Sequence, residues 1–204
     1  MHYRPSLLFI LKARLKKRNF VYEFYCKGKK TLDVGCGEGE FLRNDKDLIF
    51  GFDPNARVVE RLAREGYHVS SGNAEHMSYP DGSFAVVHCH NVIEHVDIPA
   101  AYALLTESAR VLQKGGHLVI SSEVVTKKFW DTFGHIKPYP PHAIIKLLRP
   151  ESREEFDGID TLEPAGLFYI GDYHPNKLLY LLSFCIGYLV PLFRREYFLV
   201  LIKK

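Results

Sequence analysis

The stretch Asp33-Val34-Gly35-Cys36-Gly37-Glu38-Gly39 decides the fold of this 204-residue chain. It completes a short β-type run at residues 31–34, and its glycines let the backbone turn tightly and approach a bound molecule without an intervening Cβ. In an open α/β sheet, the loop that leaves such a strand lies at the edge where ligands bind. The stretch therefore predicts a ligand-binding loop between a first strand and a helix.

Spacing and charge restrict the ligand that this loop can hold. A dinucleotide fingerprint, GxGxxG, would need glycine at position 40, where the chain has Glu40, and the Gly-Lys-Ser/Thr of a phosphate-binding loop is absent. Asp33, Glu38 and Glu40 make the loop acidic, which disfavours a negatively charged pyrophosphate. A cationic or zwitterionic nucleoside fits the loop better.

Alternating β-type and helical patterns extend on both sides of the loop. The connections are long enough for parallel pairing, and the strands are apolar enough to be buried on both faces, so the pattern predicts a doubly wound α/β sheet. The predicted strands are residues 31–34, 48–52, a short one at Val69, 84–88, 117–120, 156–161 and 197–202, and the predicted helices are 6–25, 56–65, 98–111, 140–148 and the apolar run 178–193.

The glycine-rich stretch resembles the first motif of class I S-adenosylmethionine-dependent methyltransferases. Further segments match this family in order over residues 29–122: Asp53, Asn73-Ala74-Glu75, the segment 90–96 and the segment 112–118. The resemblance implies a seven-stranded Rossmann-like sheet with helices on both faces and an antiparallel last strand. It also implies S-adenosylmethionine as the cofactor.

The resemblance assigns cofactor contacts to particular residues. Asp33 would face the amino group of the methionine moiety, Asp53 would accept hydrogen bonds from the ribose hydroxyls, and Cys36 is interpreted as a packing residue rather than a nucleophile. The complete set of predicted cofactor-binding residues is Asp33, Gly35, Cys36, Gly37, Gly39, Asp53, Pro54, Asn73, Ala74, Glu75, His90 and Asn91.

Candidate catalytic residues follow the predicted fourth and fifth strands. A sulfonium is already a strong methyl donor, so the protein needs to align the acceptor and, for oxygen or nitrogen, to take a proton. Glu94 and His95 are candidates, and His135 lies in a segment that resembles an acceptor-side stretch of small-molecule methyltransferases; it is interpreted as a base or acceptor-positioning residue, or else as a cap of a lid loop. Two methyltransferase groups hold a divalent metal with Glu-x-x-Glu-His here, but this chain has Asn91 at the first position, so no metal is predicted.

Charge is unevenly distributed along the chain. The net charge is +3, but the first 30 residues carry nine basic residues and one acidic residue, whereas the remainder carries 18 basic and 23 acidic residues. A basic N-terminal segment indicates contact with an anionic lipid surface or a nucleic acid, or a solvated helix face. Nucleic acid is disfavoured because the segment has no clear RNA-binding motif.

The cysteines and the apolar run 178–193 indicate where in the cell the protein is expected. Four widely spaced cysteines without a CxxC pair indicate neither disulfides nor zinc, which fits a reducing cytoplasm. The apolar run 178–193 is shorter than a membrane span requires. It must nevertheless be covered by the core, by a second copy in a homodimer or by lipid headgroups, so a cytoplasmic protein with or without peripheral membrane contact is expected.

These patterns predict a single methyltransferase domain over residues 1–204. Its parts are a basic helical segment (1–28), a cofactor-binding core (29–122), an acceptor-side or lid segment (123–195) and a final strand (196–204). The predicted function is methyl transfer to a small or lipid-like acceptor, with oxygen, nitrogen and carbon all open as the atom methylated. The alternatives are an RNA methyltransferase and a non-catalytic, membrane-associated scaffold that binds S-adenosylmethionine.

Overall fold

A seven-stranded sheet forms the centre of the computed structural model, which describes residues 3–16, 19–73, 75–149, 156–171 and 177–204. The strand order is β3-β2-β1-β4-β5-β7-β6; β1 to β5 pair in parallel, and β7 runs antiparallel to β5 and β6. This topology confirms the predicted doubly wound sheet with its antiparallel last strand. The strands are β1 Thr31–Val34, β2 Ile49–Asp53, β3 His68–Ser71, β4 Phe84–His90, β5 Leu112–Glu123, β6 Leu162–Ile170 and β7 Glu196–Lys203.

In the described part of the chain, five α-helices and several single turns connect the strands. Short polar side chains begin three of the helices: Ser6, Asn55 and Asp97 each accept a hydrogen bond from a backbone N–H of the first turn. The α-helices are α1 Leu7–Leu15, α2 Ala56–Arg64, α3 Ile98–Val111, α4 Pro141–Leu147 and α5 Lys177–Leu189. The single turns are Tyr22–Cys26 (π), Leu42–Asn44, Ile93–His95, Lys127–Asp131 and Pro191–Phe193.

The core lies in two layers, one on each face of the sheet. Successive residues of a strand point to opposite faces, so Val87 of β4 packs in the layer of α3 and α4, whereas Val86 packs in the layer of α1 and α2. Both residues are fully buried. Helices therefore cover both faces, as the sequence predicts.

Several predicted elements differ from the structure. The helix expected after the glycine loop is only the 3-10 turn Leu42–Asn44, and the strand expected at residues 117–120 is longer, since β5 spans Leu112–Glu123. The helix expected over residues 6–25 ends at Leu15, and the chain then forms the π turn Tyr22–Cys26. The strand expected at residues 156–161 is wrong, because β6 begins at Leu162. Pro164 and Gly166 interrupt its apolar pattern; they flank a register shift on the edge of the sheet, where a proline costs no ladder hydrogen bond.

The apolar run 178–193 forms most of α5 and the turn Pro191–Phe193. Gly187 of α5 packs directly against Gly171, which follows β6. Within the described part of the chain, none of the helices combines the length and the apolar character needed to cross a membrane.

Candidate active site

The carboxyl ends of β1, β2 and β4 place the predicted cofactor residues at one edge of the sheet. Asp33 lies next to Gly51 on one neighbouring strand and next to His88 on the other. Asp33, His88 and His90 line a cleft of about 640 Å³, together with Gly35, Cys36, Glu38, Glu40 and Phe41. We call this space the donor cleft. Its acidic lining suits a positively charged ligand.

Two glycines give the loop its shape. Gly35 has φ +72°, and a Cβ there would collide with the side chain of Val92. Gly37 has φ +48°, and no described atom lies within 4 Å of the position that its Cβ would take. The backbone is thus open on the side of Gly37, and the residues present leave room for a nucleoside.

Asp53 anchors the loop to β2. Its Oδ2 accepts a hydrogen bond from the Gly37 N–H at 2.9 Å, and its Oδ1 accepts one from the Asn55 N–H at 2.9 Å. A carboxylate has further acceptor sites beyond these two bonds, so ribose hydroxyls could still donate to Asp53. Pro54 follows Asp53 directly and is exposed.

The residues predicted to contact adenine lie after β3. Asn73 and Glu75 are exposed, and Asn73 Nδ2 donates to Glu75 Oε2 at 3.4 Å. Ala74 lies outside the described residues. Contacts of these residues with a cofactor stay a prediction.

A buried pair that the sequence reasoning missed lies in the donor cleft. His88 Nδ1 is 2.7 Å from Asp33 Oδ1, and both side chains are almost completely buried. Phe41 stacks on the imidazole with ring centroids 3.9 Å apart. The signal was available in the strand pairing, because His88 is the residue of β4 that lies beside Asp33.

His90 ends β4 beside the first residue of β7, and Asn91 follows the strand. His90 Nδ1 lies 2.5 Å from Ser121 Oγ and 3.2 Å from Glu196 Oε1. Asn91 has φ +51° and donates its N–H to the Ser121 carbonyl at 2.9 Å. The turn at Asn91 directs the chain away from the donor cleft towards a second cleft.

The second cleft has a volume of about 480 Å³. Its lining carries both charge signs, with Glu123 and Asp131 opposed by Lys128 and Arg195. Glu196 lines this cleft as well as the donor cleft. We call the second space the acceptor cleft, and Glu196 marks where the two spaces meet.

The three predicted catalytic residues form a separate group. Ligand atoms of Glu94, His95 and His135 all lie within 4.8 Å of one another. His95 Nδ1 is 2.9 Å from the Gly134 carbonyl oxygen, and His135 Nδ1 is 2.6 Å from the Phe129 carbonyl oxygen, so each ring is held through one nitrogen. Among the residues that line the two clefts, none belongs to this group. Their catalytic role stays a prediction.

Glu94 is the buried member of that group. Its carboxyl is fully buried, and within the described residues no hydrogen bond of good geometry reaches either oxygen. Burial raises the pKa of Glu94 above its ordinary value. One carboxylate and two imidazoles at this spacing could hold a cation, so the absence of a metal also stays a prediction.

Comparison with known proteins agrees with this geometry. Residues 32–120 match the family described as methyltransferase domain. The chain is 32% identical over 113 residues to a ubiquinone biosynthesis O-methyltransferase of Cronobacter sakazakii, which covers 50% of this chain and 46% of that protein. It is 31% identical over 152 residues to a probable S-adenosylmethionine-dependent methyltransferase of Mycolicibacterium smegmatis, covering 71% and 57%. The chain thus spans about half the length of the curated relatives it matches.

A solved structure shares the whole fold. The crystal structure of an S-adenosylmethionine-dependent methyltransferase from Archaeoglobus fulgidus has a TM-score of 0.66 at 21% identity and covers 98% of this chain and 96% of that one. The glycine loop and most of strands β1 to β5 lie within the residues that match the family. Residues 32–120 therefore belong to the class I methyltransferase domain family, whose cofactor is S-adenosylmethionine.

Proposed function

We propose that this protein transfers the methyl group of S-adenosylmethionine to a small or lipid-like acceptor whose polar end enters the acceptor cleft. The observation that carries the proposal is the meeting of two clefts at Glu196, one lined by the glycine loop and one by residues that follow β5. A donor in the first cleft and an acceptor in the second would then approach each other at the ends of β4 and β7. Alignment of the two reactants accounts for much of what such an enzyme must supply.

The donor cleft and the neighbouring end of β2 carry groups that complement the methionine and ribose parts of the cofactor. Asp33 would pair with the ammonium group and Asp53 with the ribose, while Arg14 of α1 lines the same cleft and would pair with the carboxylate. When bound, S-adenosylmethionine supplies an electrophilic methyl group on a positively charged sulfur. The acidic lining favours that charge.

The acceptor cleft supports an amphiphilic molecule. Its own lining is polar, with Thr126 and Thr132 beside the charged residues. The loop that contributes these residues also exposes Trp130, Phe133 and Ile136 to solvent. Apolar side chains beside a polar cleft suit a ligand with a polar reacting end and an apolar body.

A transfer assay tests the proposal. The protein would be incubated with methyl-labelled S-adenosylmethionine and caffeic acid, 4-hydroxybenzoate, phenethylamine or decanoate, and labelled product would be separated from the cofactor. We expect transfer to at least one acceptor. Absence of cofactor binding in calorimetry would contradict the proposal, and binding without transfer to any of the four would favour the scaffold alternative.

We also propose that an anionic lipid surface contacts α1 and α5. On α5, Leu179, Leu182, Ile186 and Leu189 are all exposed, and their spacing places them on one side of the helix. Leu8, Lys12 and Leu15 of α1 are exposed, and so is Lys16, which follows the helix as its C-cap. Apolar side chains flanked by lysines are typical of helices that lie in a membrane interface.

Vesicle sedimentation tests this contact with the full chain. We expect binding to phosphatidylcholine vesicles that contain phosphatidylglycerol and weaker binding to pure phosphatidylcholine. The double variant Leu182→Glu, Leu189→Glu and the double variant Lys12→Glu, Lys16→Glu should each weaken binding, whereas Lys114→Glu, at the other end of the sheet, should not. A different outcome would be a parent that fails to bind vesicles, forms a dimer in light scattering, and loses that dimer in the variant Leu182→Glu, Leu189→Glu. That result would assign the exposed face of α5 to contact with a second copy of the chain.

A further inference from the structure

His90 lies where the donor and acceptor clefts meet. Its ring lines the donor cleft, its neighbour Asn91 lines the acceptor cleft, and Glu196 beside it lines both. The side chain is about half exposed, at 49%. His90 is therefore accessible to a molecule in either space.

One nitrogen of the His90 ring is already engaged. Nδ1 is hydrogen-bonded to Ser121 Oγ at 2.5 Å and lies 3.2 Å from Glu196 Oε1, an oxygen that no hydrogen bond of good geometry reaches within the described residues. The hydroxyl thus holds the ring, and the carboxylate acts on it through its charge. A carboxylate beside Nδ1 favours the neutral tautomer in which Nδ1 carries the proton. Nε2 is then left with a lone pair that can accept a proton.

The charges around His90 favour its protonated form. Burial by itself lowers the pKa of His90, but Glu196, with further contributions from Asp33 and Glu94, outweighs burial and raises the pKa above the ordinary value of 6.5. The other polar or titratable groups near the ring are His88, whose ring is parallel at 6.0 Å, Ser121, and Arg14, which lines the donor cleft with Glu196.

We propose that His90, positioned by Glu196 and Ser121, takes the proton of the acceptor during methyl transfer. This inference rests on the proposed function, and it gives His90 a catalytic role where the sequence predicted a cofactor contact. The acceptor oxygen or nitrogen forms a bond to the methyl carbon, and the bond from that carbon to sulfur breaks with its electron pair going to sulfur. The proton of the acceptor passes to Nε2, Glu196 balances the resulting imidazolium, and the exposed ring returns the proton to water.

The other histidines near this edge are less suited to the step. His88 is deeply buried, and its Nδ1 is paired with Asp33. His95 and His135 belong to the group with Glu94 and, among the residues described, are not part of either cleft lining. His90 alone of these four combines exposure, a carboxylate partner and a position at the meeting of the clefts.

Nuclear magnetic resonance of histidine-labelled protein tests the geometry without an acceptor. We expect neutral His90 to carry its proton on Nδ1, and we expect Glu196→Gln to lower its pKa because a negative partner is lost. The pKa of His90 should also be lower with S-adenosylmethionine bound than with S-adenosylhomocysteine, which lacks the positive charge. A proton on Nε2 in the neutral ring, or a pKa that both changes leave unmoved, would overturn the inference.

Transfer kinetics test the role of the proton acceptor. With whichever of the four acceptors is methylated, kcat of the parent should fall at low pH as His90 becomes protonated, and Glu196→Gln should shift this fall to lower pH. His90→Gln should reduce kcat by about 10²-fold or more and remove the fall. The matched control is His142→Gln, an exposed histidine on α4 that should leave kcat unchanged.

The two proposals fail in different ways. If His90→Gln keeps the kcat and the pH profile of the parent, His90 is not the proton acceptor although the protein is a methyltransferase. If cofactor binds and none of the four acceptors is methylated, the proposed function fails, and the tautomer and pKa of His90 still decide whether its geometry is as inferred. Thermal unfolding of each variant shows whether a loss of kcat reflects a loss of folded protein.

Discussion

Asp33 is buried at the end of β1, lines the donor cleft and lies 2.7 Å from His88 Nδ1. We predict that Asp33→Asn lowers the affinity for both S-adenosylmethionine and S-adenosylhomocysteine by about 10-fold to 100-fold, because the variant would lose the proposed charged hydrogen bond to the ammonium group that both molecules share. Isothermal calorimetry measures the change directly.

The matched control for that variant is Asp47→Asn. Asp47 is an exposed aspartate before β2, at the opposite end of that strand from Asp53, and its replacement should leave both affinities unchanged. Equal affinities in the parent and Asp33→Asn would contradict the assignment of Asp33 to the ammonium group.

Single residues at strand ends were the most predictable part of the site. Asp33 and Asp53 follow apolar runs, and parallel strands bring their carboxyl ends to one edge, so the sequence placed both correctly at that edge. Glu196 was missed as a site residue because no local pattern links the first residue of β7 to His90. Such a contact depends on the antiparallel pairing of β5 and β7, which brings Ser121 and Glu196 to the same end.

At the scale of elements, a substitution in the glycine loop tests how closely Gly35 packs against Val92. Gly35 and Gly28 have nearly the same φ, +72° and +71°, but a Cβ at Gly35 would collide with Val92, whereas a Cβ at Gly28 would meet no described atom within 4 Å. We predict that Gly28→Ala costs about 1 kcal/mol, the cost of a left-handed residue, and that Gly35→Ala costs more and abolishes cofactor binding. Urea unfolding and calorimetry measure the two effects; equal costs would mean that Val92 does not restrain the loop.

The contact of α5 with Gly171, which follows β6, predicts whether a substitution at Gly187 raises or lowers the free energy of unfolding. Replacing a helical glycine by alanine ordinarily stabilises a protein by about 1 kcal/mol. A Cβ at Gly187 would collide with the backbone of Gly171, so we predict that Gly187→Ala instead destabilises the protein by about 1–3 kcal/mol. Urea unfolding measures whether Gly187→Ala stabilises or destabilises the protein. As a control, replacing Cys185, a partly exposed residue of the same helix, by alanine should cost less than about 1 kcal/mol.

Elements with a regular apolar period were predicted well, and those with interruptions were not. α3 agrees with the predicted range 98–111, since Asp97 caps it and Leu104 and Leu105 lie on its buried side. The edge strand β6 was placed too early because Pro164 and Gly166 weaken a β-type pattern although an edge tolerates them. The early end of α1 has no equally clear signal, since Lys16 is a good helix former and only its cap geometry marks the end.

At the scale of the whole molecule, one ion pair holds the connection between β3 and β4 against α3. Arg110 donates to the carbonyl oxygens of Met77 and Tyr79 at 2.8 Å and to Glu107 Oε1 at 2.7 Å, while Glu107 Oε2 accepts the Met77 N–H at 2.8 Å. Met77 is thereby fixed in the buried layer that α3 and α4 form on the sheet. Loss of the Glu107 charge would loosen the link between α3 and the β3–β4 connection and not merely a surface contact.

The pH dependence of stability should report this link. Hydrogen bonds from Arg110 lower the pKa of Glu107 below 4.5, so its stabilisation is complete above that pH and is lost as the pH falls through the lower, folded-state pKa. We predict that Glu107→Gln is less stable than the parent by about 1–2 kcal/mol at neutral pH and that the difference shrinks between about pH 5 and pH 3. Urea unfolding across this range measures it. Glu60→Gln, which removes an exposed pair with Arg64, should cost less than about 0.5 kcal/mol at every pH, because solvent screens that pair. A constant difference for Glu107→Gln would show that its charge does not hold the β3–β4 connection against α3.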